Sequence, residues 1–362
     1  MRKYFVFLIA FIVIHFGFAQ NLGSFIDYQG RLNIFDNGNI ISLEGLAKKG
    51  AKVGGNCVLY TDQSDNFKAY YQGRTYDLAD FTPAMYSASD DLGVFATNRI
   101  VSVFDNGNVV NLPGWANSYV AGDSIVGYFD VSSDYGYYRV YYGGTTEVVS
   151  DVFNSASVSS VKAGDNILAY INGDGLFKAY YHGQIYDLGT NHVSSYQLGS
   201  STVAYMDEYN VAFKVFYNGV ITTLETMAPK SYKGGDQLVA YVDNSGNFKI
   251  FYKGEVTTIS TVEPDFYAVD DNVVAFGTEN VSFNVFYMGK VYPLESNTPA
   301  SYEVDFNSVA YIDKYGYLKI FTDGQTNQAY YIKVPKFKLT KNVLMFKTSE
   351  YDYHFYLNGK LY

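Results

Sequence analysis

One aromatic position constrains this chain more than any other feature. Phe25, Tyr60, Phe95, Tyr128, Tyr170, Tyr205, Tyr241, Phe276, Tyr311 and Phe346 follow one another at spacings of 35, 35, 33, 42, 35, 36, 35, 35 and 35 residues. Self-similarity at a fixed period of this size marks a tandem array, in which each copy buries its apolar face only by packing on its neighbours. The residues around each aromatic are apolar without alternation, as in Leu238-Val239-Ala240-Tyr241-Val242. A short continuous apolar run of this kind reads as a strand covered on both faces, which a single solvent-faced sheet cannot provide.

Other positions keep register with the aromatic. Two residues after it stands a short polar residue, at Asp27, Asp62, Thr97, Asp130, Asn172, Asp207, Asp243, Thr278, Asp313 and Thr348. Asp and Asn at such a position accept hydrogen bonds from backbone N–H groups two residues on and so start a turn, and a threonine hydroxyl does the same more weakly. A glycine then closes the following aromatic strand, as at Gly73, Gly183, Gly254 and Gly324. Each unit therefore reads as four strands. Strand A is the Ser-Tyr segment before a Gly-Asp turn, and strand B carries the key aromatic. Strand C is the Phe-Lys-x-Phe-Tyr run, and strand D follows the glycine. Blades stacked face to face around an axis supply the two-sided burial that strand B requires. The expected fold is all-β, a β-propeller of about ten 35-residue four-stranded repeats. Ten units exceed the usual 4–8 blades, so the expectation covers one large ring or two smaller ones. The first unit lacks strand A, because the residue nine before Phe25 is Phe16, and the last strand D is clipped at Tyr362.

The segments Ser231-Tyr232 to Gly235-Asp236, Val239-Ala240-Tyr241-Val242-Asp243 and Gly246-Asn247-Phe248-Lys249-Ile250-Phe251 resemble the TolB-type propeller repeat. That repeat also has an inner strand, a glycine turn, an apolar strand ending in an aromatic, a polar turn and a second aromatic strand. The resemblance spans nearly the whole chain, in repeats shorter than that family's. It implies a propeller fold and no particular activity.

The N-terminus carries Arg2 and Lys3, then the apolar run Tyr4–Ile14, then Gly17-Phe18-Ala19. This pattern predicts a signal peptide over residues 1–19, cleaved after Ala19, with the repeat domain over 20–362. The apolar run is shorter than the ~20 residues of a spanning helix, so no stable membrane insertion is expected after cleavage. No cysteine follows the cleavage site to carry a lipid, and the chain ends inside a repeat with no room for a sorting domain. The expected location is periplasmic or extracellular. Formal charge is −10, and −12 once Arg2 and Lys3 are removed. Such a chain lacks the basic footprint of a nucleic-acid binder.

Catalytic and metal chemistry find no foothold. His15, His182, His192 and His354 have no ligand partner at close spacing. The repeated aspartates are single carboxylates in separate repeats, whereas calcium takes 6–8 oxygens together. Cys57, alone in the chain, stands at the strand B register filled elsewhere by Ile167, Leu238 and Val273, which makes it a core residue rather than a nucleophile. No cofactor is expected. Departures from the repeat concentrate between residues 96 and 163 and include Trp115, the only tryptophan. Loops that break regularity are where a repeat protein binds, so Trp115, Asn117, Asp134, Tyr135, Tyr137, Phe153 and Asn154 are the candidate binding residues. The expected function is a non-catalytic protein-interaction scaffold with envelope or extracellular protein partners. The alternative is a lectin-like propeller that stacks tyrosine rings on a glycan. The missing first inner strand also leaves an edge to which a partner peptide could add a strand.

Overall fold

In the computed structural model the chain forms ten antiparallel sheets arranged as the blades of one ring. The structure describes residues 21–46, 51–133, 136–150, 161–190, 193–279 and 281–362. The expected signal segment lies outside these residues. Nine sheets have four strands in simple sequential order, and the first has three. The alternative of two smaller rings falls away, because neighbouring blades pack continuously from the first to the last and the first then meets the tenth.

Blade 7 shows why the repeat folds as it does. Its strands are A, Ser231–Gly234; B, Leu238–Val242; C, Phe248–Tyr252; and D, Glu255–Ser260. Strand B is buried along its whole length and strand D is mostly exposed, so the hydrophobic demand falls steeply from the middle of each blade to its rim. Asp243 begins the B–C turn by accepting the Asn247 N–H at 2.8 Å on Oδ1. Gly254 ends strand C with φ +96°, a conformation that L side chains rarely adopt.

Strands A lie at the axis, since those of neighbouring blades approach one another while strands D do not. At five of the interfaces between blades the aromatics interlock in one way. The first ring of strand C sits between the strand A and strand B rings of the next blade. Phe213 lies 4.8 Å from Tyr232 and 5.3 Å from Tyr241. Phe248 lies 5.3 Å from Tyr267 and 5.2 Å from Phe276. The arrangement recurs at Phe67, Phe177 and Phe283. Such tilted and edge-on ring pairs add roughly 0.5–1.5 kcal/mol each beyond the area they bury.

Several of the tyrosine hydroxyls that this packing buries are satisfied across the same interfaces, although that of Tyr196 has no hydrogen-bond partner. Tyr241 donates to Glu225 Oε1 at 2.9 Å, and Lys249 bridges Glu225 and Asp243 at 2.7 and 2.9 Å. Tyr311, Glu295, Lys319 and Asp313 repeat the network two blades on. The lysine of the Phe-Lys-x-Phe-Tyr run and the aspartate two residues after the key aromatic are thus halves of one inter-blade clamp.

Blade 1 has strands B, C and D (Leu22–Ile26, Arg31–Asp36, Asn39–Leu46) and no strand A among the described residues. Blade 10 retains all four, although its strand D is only Lys360–Leu361. The ring closes with Phe35 against Phe355 and Phe25 against Tyr353. The short final strand D matches the reading of the sequence, whereas Phe16, where strand A of blade 1 would fall, lies outside the described residues.

Candidate binding site

Two surfaces concentrate chemistry. The first is the loop between blades 3 and 4 with the hairpin it touches. The second is the channel mouth formed by the A–B turns.

Asp130 organises the first surface. It ends strand B of blade 4, its side chain is fully buried, and it collects hydrogen bonds from three directions. Trp115 N–H donates to Oδ1 at 3.0 Å, Ser132 N–H donates to the same oxygen at 2.9 Å, and Arg139 Nε donates to Oδ2 at 2.7 Å. Burial alone would raise this carboxyl, but the bonds from Ser132, Arg139 and Trp115 outweigh it and hold the group at about 2. The Trp115 carbonyl accepts from Val131 N–H at 2.7 Å, and Tyr128 Oη donates to the Pro113 carbonyl at 2.7 Å. Gly114, at φ +86°, lets this loop lie directly on the carboxylate. The outcome is a fixed backbone beneath an indole that is 53% exposed. The Arg99 guanidinium lies 5.9 Å from the Trp115 ring, and that of Arg139 lies 5.8 Å from the Tyr137 ring.

Of the sequence candidates, the structure places Trp115 and Asn117 in one exposed loop and Tyr137, half-buried, at the start of strand C beside it. Asp134, Tyr135, Phe153 and Asn154 lie outside the described residues. Asp130 and Arg139 were not among the candidates. Asp130 occupies the repeat's turn position, so its pattern signalled only a turn.

At the channel mouth the A–B turns of successive blades are linked edge to edge by backbone hydrogen bonds. Gly55 N–H donates to the Ser89 carbonyl at 3.0 Å, Ser124 to Asp165 at 3.0 Å, Asn166 to Ser200 at 3.1 Å and Asp236 to Asp271 at 2.7 Å. Turns this close leave no room for a side chain at some positions. A Cβ on Gly122 or Gly199 would collide with the carbonyl oxygen of Gly164 or Gly235. The same linkage crowds carboxylates together. Asp90, Asp123, Asp165, Asp270, Asp271 and Asp305 surround a cavity of about 100 Å³ with Phe306.

Lys341 is the cation paired there, 2.7 Å from Asp90. Ser200 Oγ bonds to Asp165 and, at 3.0 Å, to Asp271. Burial, then the charges of Asp165 and Asp90, push the Asp123 carboxyl well above the usual carboxylate range. Burial and then Asp270 do the same to Asp271. Asp270 is raised to about 7 by burial and then Asp305, and Asp305 to about 6 chiefly by burial. These aspartates recur five or six residues before the key aromatic, a regularity visible in the sequence and noticed there only as the Gly-Asp turn. Among the described residues no group of three or more histidines, cysteines or carboxylates is arranged to hold a metal ion.

The remaining reactive groups are scattered, Cys57 buried, His354 half-buried and His182 exposed. Cys57 is buried, which raises its thiol to about 12. His182 meets the Tyr142 hydroxyl at 2.9 Å, and His354 meets Asp352 at 3.1 Å. Nowhere do these groups share a cleft with one another.

A family model described as a 10-bladed beta propeller domain matches residues 17–362. The chain belongs to that family. Solved structures similar to it are propellers of low identity. The computationally designed Ika8 protein is 16% identical, covering 87% of this chain and 98% of its own, with a TM-score of 0.33. BamB from Moraxella catarrhalis is 13% identical over 70% of this chain and 88% of its own, with a TM-score of 0.32. Hsv2p from Kluyveromyces lactis is 10% identical over 70% and 98%, with a TM-score of 0.33. Among curated proteins none matches the chain.

Proposed function

We propose that this ten-bladed propeller is an exported, non-catalytic scaffold that binds a protein partner through the rim around Trp115. The observation that carries the reading is the pairing of an exposed indole with a buried carboxylate that fixes its backbone. An exposed tryptophan on a pre-positioned loop loses little conformational freedom on docking, and tryptophan and arginine dominate interface energetics. Arg99 and Tyr137 extend the patch.

The repeated tyrosines favour a protein over a glycan partner. Those of strands A and B are engaged between blades, where they offer no repeated sugar platform. The burial of Cys57 and the engagement of His182 and His354 support a role without catalysis. The signal-like residues 1–19 and the net charge of −10 support an envelope or extracellular location.

The test is a pull-down of the tagged mature chain from its own envelope and medium fractions, beside a Trp115→Ala chain. Capture of a defined protein that the variant loses supports the reading. Equal capture by both chains moves the site away from Trp115. Retention on a glycan array with no protein captured replaces the scaffold with a lectin.

A further inference from the structure

The seam between blades 10 and 1 holds an aromatic slot that five of the other interfaces fill. In those five the first ring of strand C is enclosed by two rings of the next blade. Phe67, Phe177, Phe213, Phe248 and Phe283 are each fully buried in this way. At the seam the corresponding ring is Tyr353. It meets the strand B ring, Phe25, at 4.7 Å, and Lys347 Nζ lies 4.4 Å from its centre. No strand A ring reaches it among the described residues. Tyr353 and Phe25 are accordingly half-buried, whereas Tyr170, Tyr205, Tyr241 and Tyr311, at the register of Phe25, are fully buried.

Among the described residues the backbone beside the slot is open as well. Strand B of blade 1 pairs with strand C in a register that includes Asp27 N–H to Arg31 carbonyl and Asn37 N–H to Asn21 carbonyl. By alternation, Phe25 and Gly23 also face strand C, so Leu22, Ser24 and Ile26 direct their N–H and C=O groups to the inner edge. In blade 7 the residues at the same register are Leu238, Ala240 and Val242. They face strand A, with Gly235 N–H donating to the Leu238 carbonyl at 2.8 Å.

We propose that a strand from another protein adds to this inner edge, pairing with Leu22, Ser24 and Ile26 and placing a Tyr or Phe ring against Tyr353 and Phe25. The chemistry of the occupant is set by six of the nine inner strands present elsewhere, which carry Tyr86, Tyr119, Tyr196, Tyr232, Tyr267 and Tyr302 at that position. A partner must supply the strand because cleavage after Ala19 leaves only Gln20 and Asn21 ahead of strand B. Blade 7 uses four residues of strand A and three of turn for the same purpose. The inference rests on the export reading and adds a second contact to the Trp115 rim.

The probe is a fluorescent peptide with the sequence of residues 229–236, Pro-Lys-Ser-Tyr-Lys-Gly-Gly-Asp, titrated into the purified exported chain. Its N-terminus is first fixed by intact-mass measurement. Saturable binding is expected, weakened about tenfold or more when the peptide tyrosine is alanine, as the loss of one buried ring implies. A Ser24→Pro chain should lose binding and keep its far-UV spectrum and melting temperature, because proline is tolerated on a strand edge whose N–H serves no pair.

A chain that begins at Gln20 and binds neither peptide overturns the added strand and leaves export standing. Equal binding of the tyrosine and alanine peptides overturns the slot. A mature chain that keeps residues 15–18 overturns the cleavage reading and, with it, the need for a partner.

Discussion

Phe35 in the first blade stacks on Phe355 in the last, with ring centroids 4.4 Å apart and 6° between their planes. Both rings are fully buried. With Phe25 against Tyr353 and Phe35 against Tyr362, this stack belongs to the ring pairs that hold together parts of the chain separated by the whole domain. Replacing Phe355 with alanine should cost about 3–5 kcal/mol of unfolding free energy. The seam is the place where blades can part without unravelling a sheet. Phe355→Ala should therefore enlarge the radius of gyration in X-ray scattering, and Phe248→Ala, at a regular interface, should not. A loss under about 1 kcal/mol, or equal expansion of both variants, would show that closure rests elsewhere.

Stability should depend on pH from two sides. Asp123, Asp270, Asp271 and Asp305 have raised folded-state values, with Asp90, Asp165, Asp236, Glu303 and Lys341 contributing to the local charge. In the unfolded chain these carboxyls titrate near pH 4. The folded mouth thus holds more protons than the unfolded chain from about pH 4 to 8, and stability falls as pH rises through that window and the buried carboxyls are forced to ionise. Calorimetry should show a melting temperature that falls between about pH 5 and 8. An Asp123→Asn, Asp271→Asn double variant should flatten the fall. An unchanged slope in that variant would place the titration elsewhere.

The opposite limb belongs to Asp130 and Asp207, each held at about 2 against the effect of burial by hydrogen bonds. Their contribution is present above pH 4 and lost as pH drops towards 2. Asp130→Ala should cost about 3–5 kcal/mol, because it leaves Arg139 without its buried partner. Trp115 is the only tryptophan, so the same variant should alter its emission and quenching by acrylamide well below the melting transition. Unaltered fluorescence would mean that Asp130 does not hold the loop.

Gly199→Ala should destabilise by about 1–3 kcal/mol, the usual penalty of overpacking, since its Cβ would strike the Gly235 carbonyl. Gly183→Ala offers a contrast, because nothing lies within 4 Å of its Cβ and its penalty comes from φ +75° alone. A double variant should show additive losses, the two positions having no shared neighbour.

The blades were legible in the sequence because their determinants are local. Tyr241 and Asp243 define a buried strand and its turn without reference to any other blade. Whether ten blades make one ring or two was not legible, since closure depends on a small rotation accumulated over every interface and on the contact of Phe35 with Phe355, about 320 residues apart. The acidic mouth was hidden for a related reason. Asp123 and Asp271 belong to turns nearly 150 residues apart, and only the shared register of strand A brings them to one rim. At Trp115 the composition pointed correctly to an unusual loop, while its support, Asp130, was concealed behind an ordinary turn role.

The edge-to-edge backbone bonds of the A–B turns have a consequence for how the mouth can respond to its surroundings. Turns tied carbonyl to amide, with glycines where they touch, cannot slide apart by small steps. The spacing of the aspartate Cα atoms is therefore set by main-chain geometry and is insensitive to charge. Repulsion that rotation of the side chains does not relieve must be answered chemically, by taking up protons. In this respect the mouth behaves as a vessel of fixed capacity.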